Sequence, residues 1–160
     1  MKKTQFIILA SCCLSFAGIA QNRGIKFNEN QPWQEVVEKA RQAGKYIFMD
    51  CYTVWCGPCK LLDKNVFSND EIADYYNDGF INAKYNMEKG EGVSLKEKYR
   101  VTAYPTLLFI DAKTEEIVHR VVGAGDVKHM LAQAKIAKES SQNLQSLKKQ
   151  YETGEKNAET

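Results

Sequence analysis

The chain has 160 residues, 44% hydrophobic and 26% charged, enough for one cored domain and little more than an appendage. Its 22 Lys and Arg exceed its 20 Asp and Glu by two. Lys2 and Lys3 supply that excess, so beyond residue 20 the count is 20 against 20. A neutral, interspersed surface argues against nucleic acid or an anionic membrane as the partner.

At the N-terminus, Lys2 and Lys3 precede an uncharged apolar run over residues 6–19, and Gly18-Ile19-Ala20 supplies small residues. This pattern predicts a secretory signal peptide over 1–20, cut between Ala20 and Gln21. It is too short for a transmembrane helix, which needs about 20 apolar residues. Leu9-Ala10-Ser11-Cys12 is a rival lipobox that would leave a lipid on Cys12. Its apolar run, 6–10, is shorter than the usual stretch of about 7–15 residues, so a soluble exported protein is the preferred expectation. Cys12 and Cys13 leave with the leader, and the mature chain keeps Cys51, Cys56 and Cys59. Three cysteines make no disulfide scaffold; one close pair with one left over points to redox chemistry.

Pro32-Trp33 opens a helical pattern with Val36, Val37 and Ala40 apolar, stopping at Gly44. Residues 46–52 form a nearly continuous apolar run, the signature of a strand covered on both faces. The Cys56–Cys59 stretch should then open a helix reaching about Val66. Ser68-Asn69-Asp70-Glu71 reads as a capping box, with Ser68 at the cap, ahead of a helix over 72–77 broken by Gly79. A strand is predicted over 80–85, a short helix over 93–99, and strands over 106–110 and 116–122 around a turn at 111–114. Gly123-Ala124-Gly125 ends the hairpin, and Asp126 should cap a helix with Val127, Met130, Leu131 and Ala134 on one face. Strands alternating with helices, then a hairpin and a last helix, give an α/β domain with a mixed sheet. Residues 139–160 are a polar extension. Leu144, Leu147 and Tyr151 could stripe a short helix there, and 152–160 read as a disordered tail.

The chemistry centres on Tyr52-Thr53-Val54-Trp55-Cys56-Gly57-Pro58-Cys59-Lys60. A structural zinc needs four ligands, but only Cys51, His119 and His129 remain, and the histidines are ten residues apart. They read as a solvated strand residue and a helix-face residue. A bridge between residues three apart closes too small a loop to stabilise the fold much. A dithiol that opens and closes accounts for the neighbours. Cys56 would head a helix, where free N–H groups and the dipole favour an anion and draw its thiol from about 8.5 towards about 7. Cys59, one turn further in, would be buried and placed to resolve a mixed disulfide on Cys56. Gly57 and Pro58 keep the approach low, and Trp55 provides an apolar flank.

Trp55–Lys60, WCGPCK, resembles the active-site signature of the thioredoxin family, and the resemblance covers roughly residues 25–138. Within 66–110 it is more similar to exported thioredoxin-like domains, including the soluble domain of DsbD-type thiol–disulfide interchange proteins. The resemblance implies a thioredoxin fold, here over 21–138, with a short helical extension. It places a buried aspartate at Asp50, a lysine near it at Lys84, a cis-proline loop at Tyr104-Pro105-Thr106 and a glycine beside that loop at Gly123. Asp50 is expected to have a raised pKa and to accept the Cys59 proton. Tyr104, Pro105 and Gly123 would join Trp55, Gly57 and Pro58 in substrate binding through backbone pairing. Lys60 and Lys84 would tune the site, although Lys84 reads more simply as a solvated strand residue. Cys51 replaces the usual apolar neighbour of the aspartate and is expected to be an inert buried thiol on the opposite face.

The resemblance further implies no cofactor beyond the Cys56–Cys59 disulfide. A Gly-Pro pair with no histidine between the cysteines is similar to the reducing members of the family. The expected protein is therefore a monomeric, extracytoplasmic protein-disulfide reductase, acting on proteins that carry disulfides and supplied by a membrane or soluble dithiol donor. An oxidase or isomerase of the same fold is the alternative within the enzyme class. A redox-silent thioredoxin-like interaction module is the alternative outside it.

Overall fold

The computed structural model describes residues 24–139 and 144–153. The expected leader, the lipobox and residues 154–160 lie outside the described residues. Five strands, β1 (Asn28–Glu29), β2 (Tyr46–Tyr52), β3 (Phe80–Asn86), β4 (Thr106–Ile110) and β5 (Ile117–Val122), form one sheet. The spatial order is β1-β3-β2-β4-β5. β2 pairs parallel to β3 and antiparallel to β4, so the apolar run of 46–52 occupies the centre of a mixed sheet. The helices are α1 (Trp33–Ala43), α2 (Gly57–Leu62), α3 (Asp70–Gly79), α4 (Glu91–Lys98), α5 (Val127–Lys138) and α6 (Leu144–Thr153).

The period-two alternation of β2 divides the core. Ile47, Met49 and Cys51 face α1 and the side of Leu95 and Tyr99. Phe48 faces the opposite way, towards Leu62, Val66, Phe67, Ile72, Tyr76 and Met130. Phe48 and Tyr76 meet edge-on with ring centroids 4.7 Å apart. The buried Tyr76 hydroxyl donates to the Met130 carbonyl at 2.9 Å, giving the polar tip of a core aromatic its partner.

Several local expectations are corrected. The two-residue β1 was not anticipated, because two residues leave no period to read. The helix opened by the cysteine stretch is α-helical only to Leu62 and continues as a π-helical turn, Asp63–Phe67. That turn absorbs Ser68, whose hydroxyl donates to the Lys64 carbonyl at 2.6 Å. Asn69, not Ser68, therefore caps α3, its side-chain oxygen accepting from Glu71 N at 2.9 Å. Glu152 and Thr153, expected in a tail, are the last residues of α6. α6 lies against β5, with Leu147 and Tyr151 exposed. The Gly44 and Asp126 signals match the structure: Gly44 closes α1 in the left-handed region at φ 63, and the Asp126 carboxylate accepts from His129 N at 2.7 Å.

Candidate active site

The C-terminal end of β2 delivers the chain to Thr53, and Cys56 N donates to the Thr53 carbonyl at 3.2 Å. Cys56 is the N-cap of α2 and is joined to Cys59 by a disulfide, with the Cα atoms 5.3 Å apart. The Cys56 sulfur accepts from Cys59 N at 3.1 Å, so a free N–H of the first helical turn is aimed at the atom that would carry negative charge after reduction. Both cysteines are buried, while Gly57 and Pro58 over them are exposed. A Cβ on Gly57 would meet nothing within 4 Å. Its small size therefore lowers the surface without relieving an internal clash. Lys60, the next residue after Cys59, is exposed.

A second wall comes from the loop before β4. The Tyr104–Pro105 peptide bond is cis, and the Pro105 carbonyl accepts from Gly123 N at 2.9 Å. Gly123 has φ 93, a conformation that L side chains rarely adopt, which accounts for glycine there. Trp55 is 65% exposed, yet its orientation is fixed. Its ring meets Tyr104 edge-on at 5.8 Å, and its indole N–H donates to the Glu88 carboxylate at 3.0 Å. Glu88 was not singled out from sequence, since only the turn after β3 brings it to Trp55.

Beneath the surface, Asp50 is 1% exposed and shares the face of β2 that carries Phe48 and meets Leu62 and Val66. Lys84, its partner across the parallel β2–β3 ladder, lies with its ammonium 3.3 Å from the Asp50 carboxylate. The same ammonium binds Asp63, which stands one turn beyond Cys59 and donates its backbone N–H to the Cys59 carbonyl. The reading of Lys84 as solvated is thus corrected: its side chain is 9% exposed and caged by Tyr52, Phe27 and Phe67 at 5.0, 5.4 and 6.0 Å. Asp63 was also missed, although its position four residues after Cys59 puts it on the same helical face.

Burial raises the Asp50 carboxyl from its ordinary 3.8 to about 6, outweighing the attraction of Lys84, with the Asp63 charge adding to the rise. Apart from the Lys84 ammonium at 3.3 Å, no group of the described residues offers either carboxylate oxygen a hydrogen bond. For Lys84, burial acts downward, but the Asp50 and Asp63 charges outweigh it and hold the ammonium above its ordinary value. Burial, followed by the Asp50 charge, drives the free thiol of Cys51 well above its ordinary range. Cys51 sits at 0% exposure in the core on the α1 side. His119 is half-buried and hydrogen-bonded to Gln133 at 2.6 Å, which corrects its reading as solvated, and His129 is exposed on α5. The structure thus gathers Trp55, Cys56, Gly57, Pro58 and Cys59 at the head of α2, and brings Tyr104, Pro105 and Gly123 together beside Trp55. Asp50 and Lys84 lie below.

A mixed sheet with a Cys-Gly-Pro-Cys disulfide at the head of a helix, beside a cis-proline loop, defines a thioredoxin-fold thiol–disulfide oxidoreductase whose redox groups are its own two sulfurs. Residues 33–138 match the profile of the thioredoxin-like domain, and the chain belongs to that family. The thiol:disulfide interchange protein DsbD of Yersinia pestis (strain Pestoides F) is 30% identical over 123 residues, covering 73% of this chain and 21% of that protein. The chain therefore spans about a fifth of the length of that relative. Among solved structures, a candidate disulphide-isomerase from Bacteroides thetaiotaomicron is 50% identical, with TM-score 0.67, over 76% of this chain and 98% of that one. A Thermus thermophilus thioredoxin shares the fold at 22% identity and TM-score 0.61, over 69% of this chain and 86% of that one.

Proposed function

We propose that the protein is an extracytoplasmic protein-disulfide reductase, exported by its N-terminal leader and kept reduced by a membrane or soluble dithiol donor. The observation that carries this reading is the Cys56–Cys59 disulfide at the head of α2, linked through Asp63 and Lys84 to a buried carboxyl held near pH 6. The Gly57-Pro58 pair, without a histidine to stabilise the Cys56 thiolate, supports the reducing direction. Similarity to DsbD supports the compartment and the kind of donor.

In the reduced protein, the Cys56 thiolate attacks one sulfur of a substrate disulfide. A mixed disulfide forms, and the departing substrate sulfur takes up a proton. The Asp50 carboxylate, mostly ionised at neutral pH, receives the Cys59 proton. The Cys59 thiolate then attacks the Cys56 sulfur and releases the second substrate thiol. Two electrons pass to the substrate, and the chain is left as the Cys56–Cys59 disulfide for the donor to reduce. Trp55, Gly57, Pro58 and the Tyr104–Pro105 loop seat the substrate segment.

The 50% identity to the Bacteroides protein favours isomerisation as a second reading, in which the substrate resolves the mixed disulfide itself. Insulin reduction driven by dithiothreitol, run beside reactivation of scrambled ribonuclease, separates the two. The reductase reading expects rapid insulin reduction, lost in Cys56→Ser and Cys59→Ser alike, with little ribonuclease reactivation. Efficient reactivation that survives Cys59→Ser would establish the isomerase instead.

A further inference from the structure

The N-terminal arm, residues 24–29, lies against the buried ion cluster, and the exchange steps above make no use of it. Two elements clasp its backbone. Ile25 N donates to the Phe67 carbonyl at 2.7 Å. Asn77 of α3 accepts from Lys26 N at 2.9 Å and donates to the Gly24 carbonyl at 3.1 Å. Asn28 turns towards α1, where its side chain accepts from Lys39 at 2.8 Å. Strand alternation therefore turns Phe27 and Glu29 to the opposite face, the one that Asp50 and Lys84 share. Phe27 is half-buried there. Its ring stands 5.4 Å from the Phe67 ring, 6.1 Å from the Phe48 ring and 5.4 Å from the Lys84 ammonium. We propose that Phe27 is a positioning residue for thiol exchange, closing the Asp50–Lys84–Asp63 cluster to water so that Asp50 takes the Cys59 proton in a dry cavity. The role rests on the reductase reading above, in which Asp50 receives that proton.

Each strand and turn around Asp50 contributes differently. β2 adds Tyr52, whose ring is 5.0 Å from the Lys84 ammonium, and β4 sets the uncharged Leu107 opposite Asp50. β3 supplies Lys84, and the π-helical turn supplies Asp63 and Phe67. β1 brings Glu29, the register partner of Lys84. Glu29 and Asp63 are exposed, and their charges favour the protonated form of Asp50 while Lys84 opposes it. Among the rings around Lys84, Phe27 alone belongs to the arm. Aromatic faces attract a cation without hydrating it, so the ring replaces water at Lys84 without freeing it from the two carboxylates. Burial is the largest influence on Asp50 and acts upward. Removing the ring admits water, weakens that influence and returns Asp50 towards its ordinary range. Water also screens the surrounding charges, but the Lys84 attraction and the Asp63 and Glu29 repulsions are screened together and oppose one another.

The test follows single-turnover reduction of insulin by the reduced protein across the acid and neutral pH range. The part of the pH profile that Asp50→Asn abolishes reports Asp50. In Phe27→Ala this inflection should fall by about one pH unit, a fraction of the roughly 3–5 units that complete burial imposes. Phe27→Leu keeps an apolar cover and should hold the inflection near pH 6. A role in packing alone would lower the rate equally at every pH and leave the inflection in place. That result, or an upward shift, would overturn the positioning role while leaving thiol exchange intact. Where Phe27→Ala does not fold, Asn77→Ala decides, because it loosens the arm from α3 at a position outside the cluster. It should move the inflection downward too, and an unmoved inflection there overturns the role. A wild-type profile from which Asp50→Asn abolishes nothing would overturn the proton-transfer reading and the role of Phe27 together.

Discussion

The Lys84 ammonium lies 3.3 Å from the Asp50 carboxylate and also binds Asp63, so one buried cation is shared by two carboxylates on different elements. Asp50 belongs to the central strand, whereas Asp63 belongs to the helical run that carries Cys59. The shared cation stops burial from silencing Asp50 altogether and leaves it near 6, where it changes charge just below neutral pH.

The rate of disulfide reduction should therefore rise through an inflection near pH 6, and that inflection should disappear in Asp50→Asn. The variant is expected to react about tenfold or more slowly at pH 7, within the reach of lost acid–base catalysis. An unchanged rate across pH 6–8 would remove Asp50 from proton transfer.

Stability should move the opposite way. Between 3.8 and about 6 the folded state holds the Asp50 proton more tightly than the unfolded state does. The stability from the protonated group is complete below 3.8 and is lost as pH rises through about 6. Asp50→Asn avoids this loss and should be more stable at pH 7–8, by up to about 3 kcal/mol, partly offset because Lys84 keeps only Asp63. Urea unfolding at pH 4.5 and 7.5 measures the difference, which should grow with pH.

Lys84→Met should push the Asp50 inflection above pH 6, because burial and the Asp63 charge then act on Asp50 without the nearby cation. The rate deficit should be large at pH 6.5 and shrink by pH 8.5. A deficit equal at both pH values would show that Lys84 serves packing alone. The variant is expected to lose about 3–5 kcal/mol of stability at pH 7 as the buried pair is broken. Lys84, whose own affinity for the proton is raised, contributes fully below pH 10.5 and loses that contribution only at higher pH.

Cys51 should remain unmodified when the reduced, folded protein meets a thiol reagent at pH 8, while Cys56 reacts rapidly. Its 0% exposure and strongly raised thiol pKa remove both access and thiolate. Mass mapping of the labelled protein reads this directly. Labelling of Cys51 at a rate near that of Cys56 would give it a redox role.

The chemistry was legible where it is local. Asp50, Cys56 and Cys59 lie within ten residues, and the apolar run 46–52 announces its own burial. The raised Asp50 pKa follows from placing a carboxylate in such a run. Lys84 was misread because its cage is assembled from Phe27, Tyr52 and Phe67, brought together only by the sheet and the π-helical turn. Asn69 displaced Ser68 as a cap for a related reason: a π turn shifts the register, and no residue pattern in 63–67 signals it. The contact of Glu88 with Trp55 depends on two turns meeting, which a period along one segment cannot show.

The central claim, a dithiol poised to reduce, is tested most directly by the reduction potential of the Cys56–Cys59 pair, equilibrated against a glutathione or dithiothreitol redox buffer. The account predicts a value near that of reducing thioredoxins, about −270 mV. A value of about −120 to −180 mV, in the range of strong oxidants and isomerases, would contradict it.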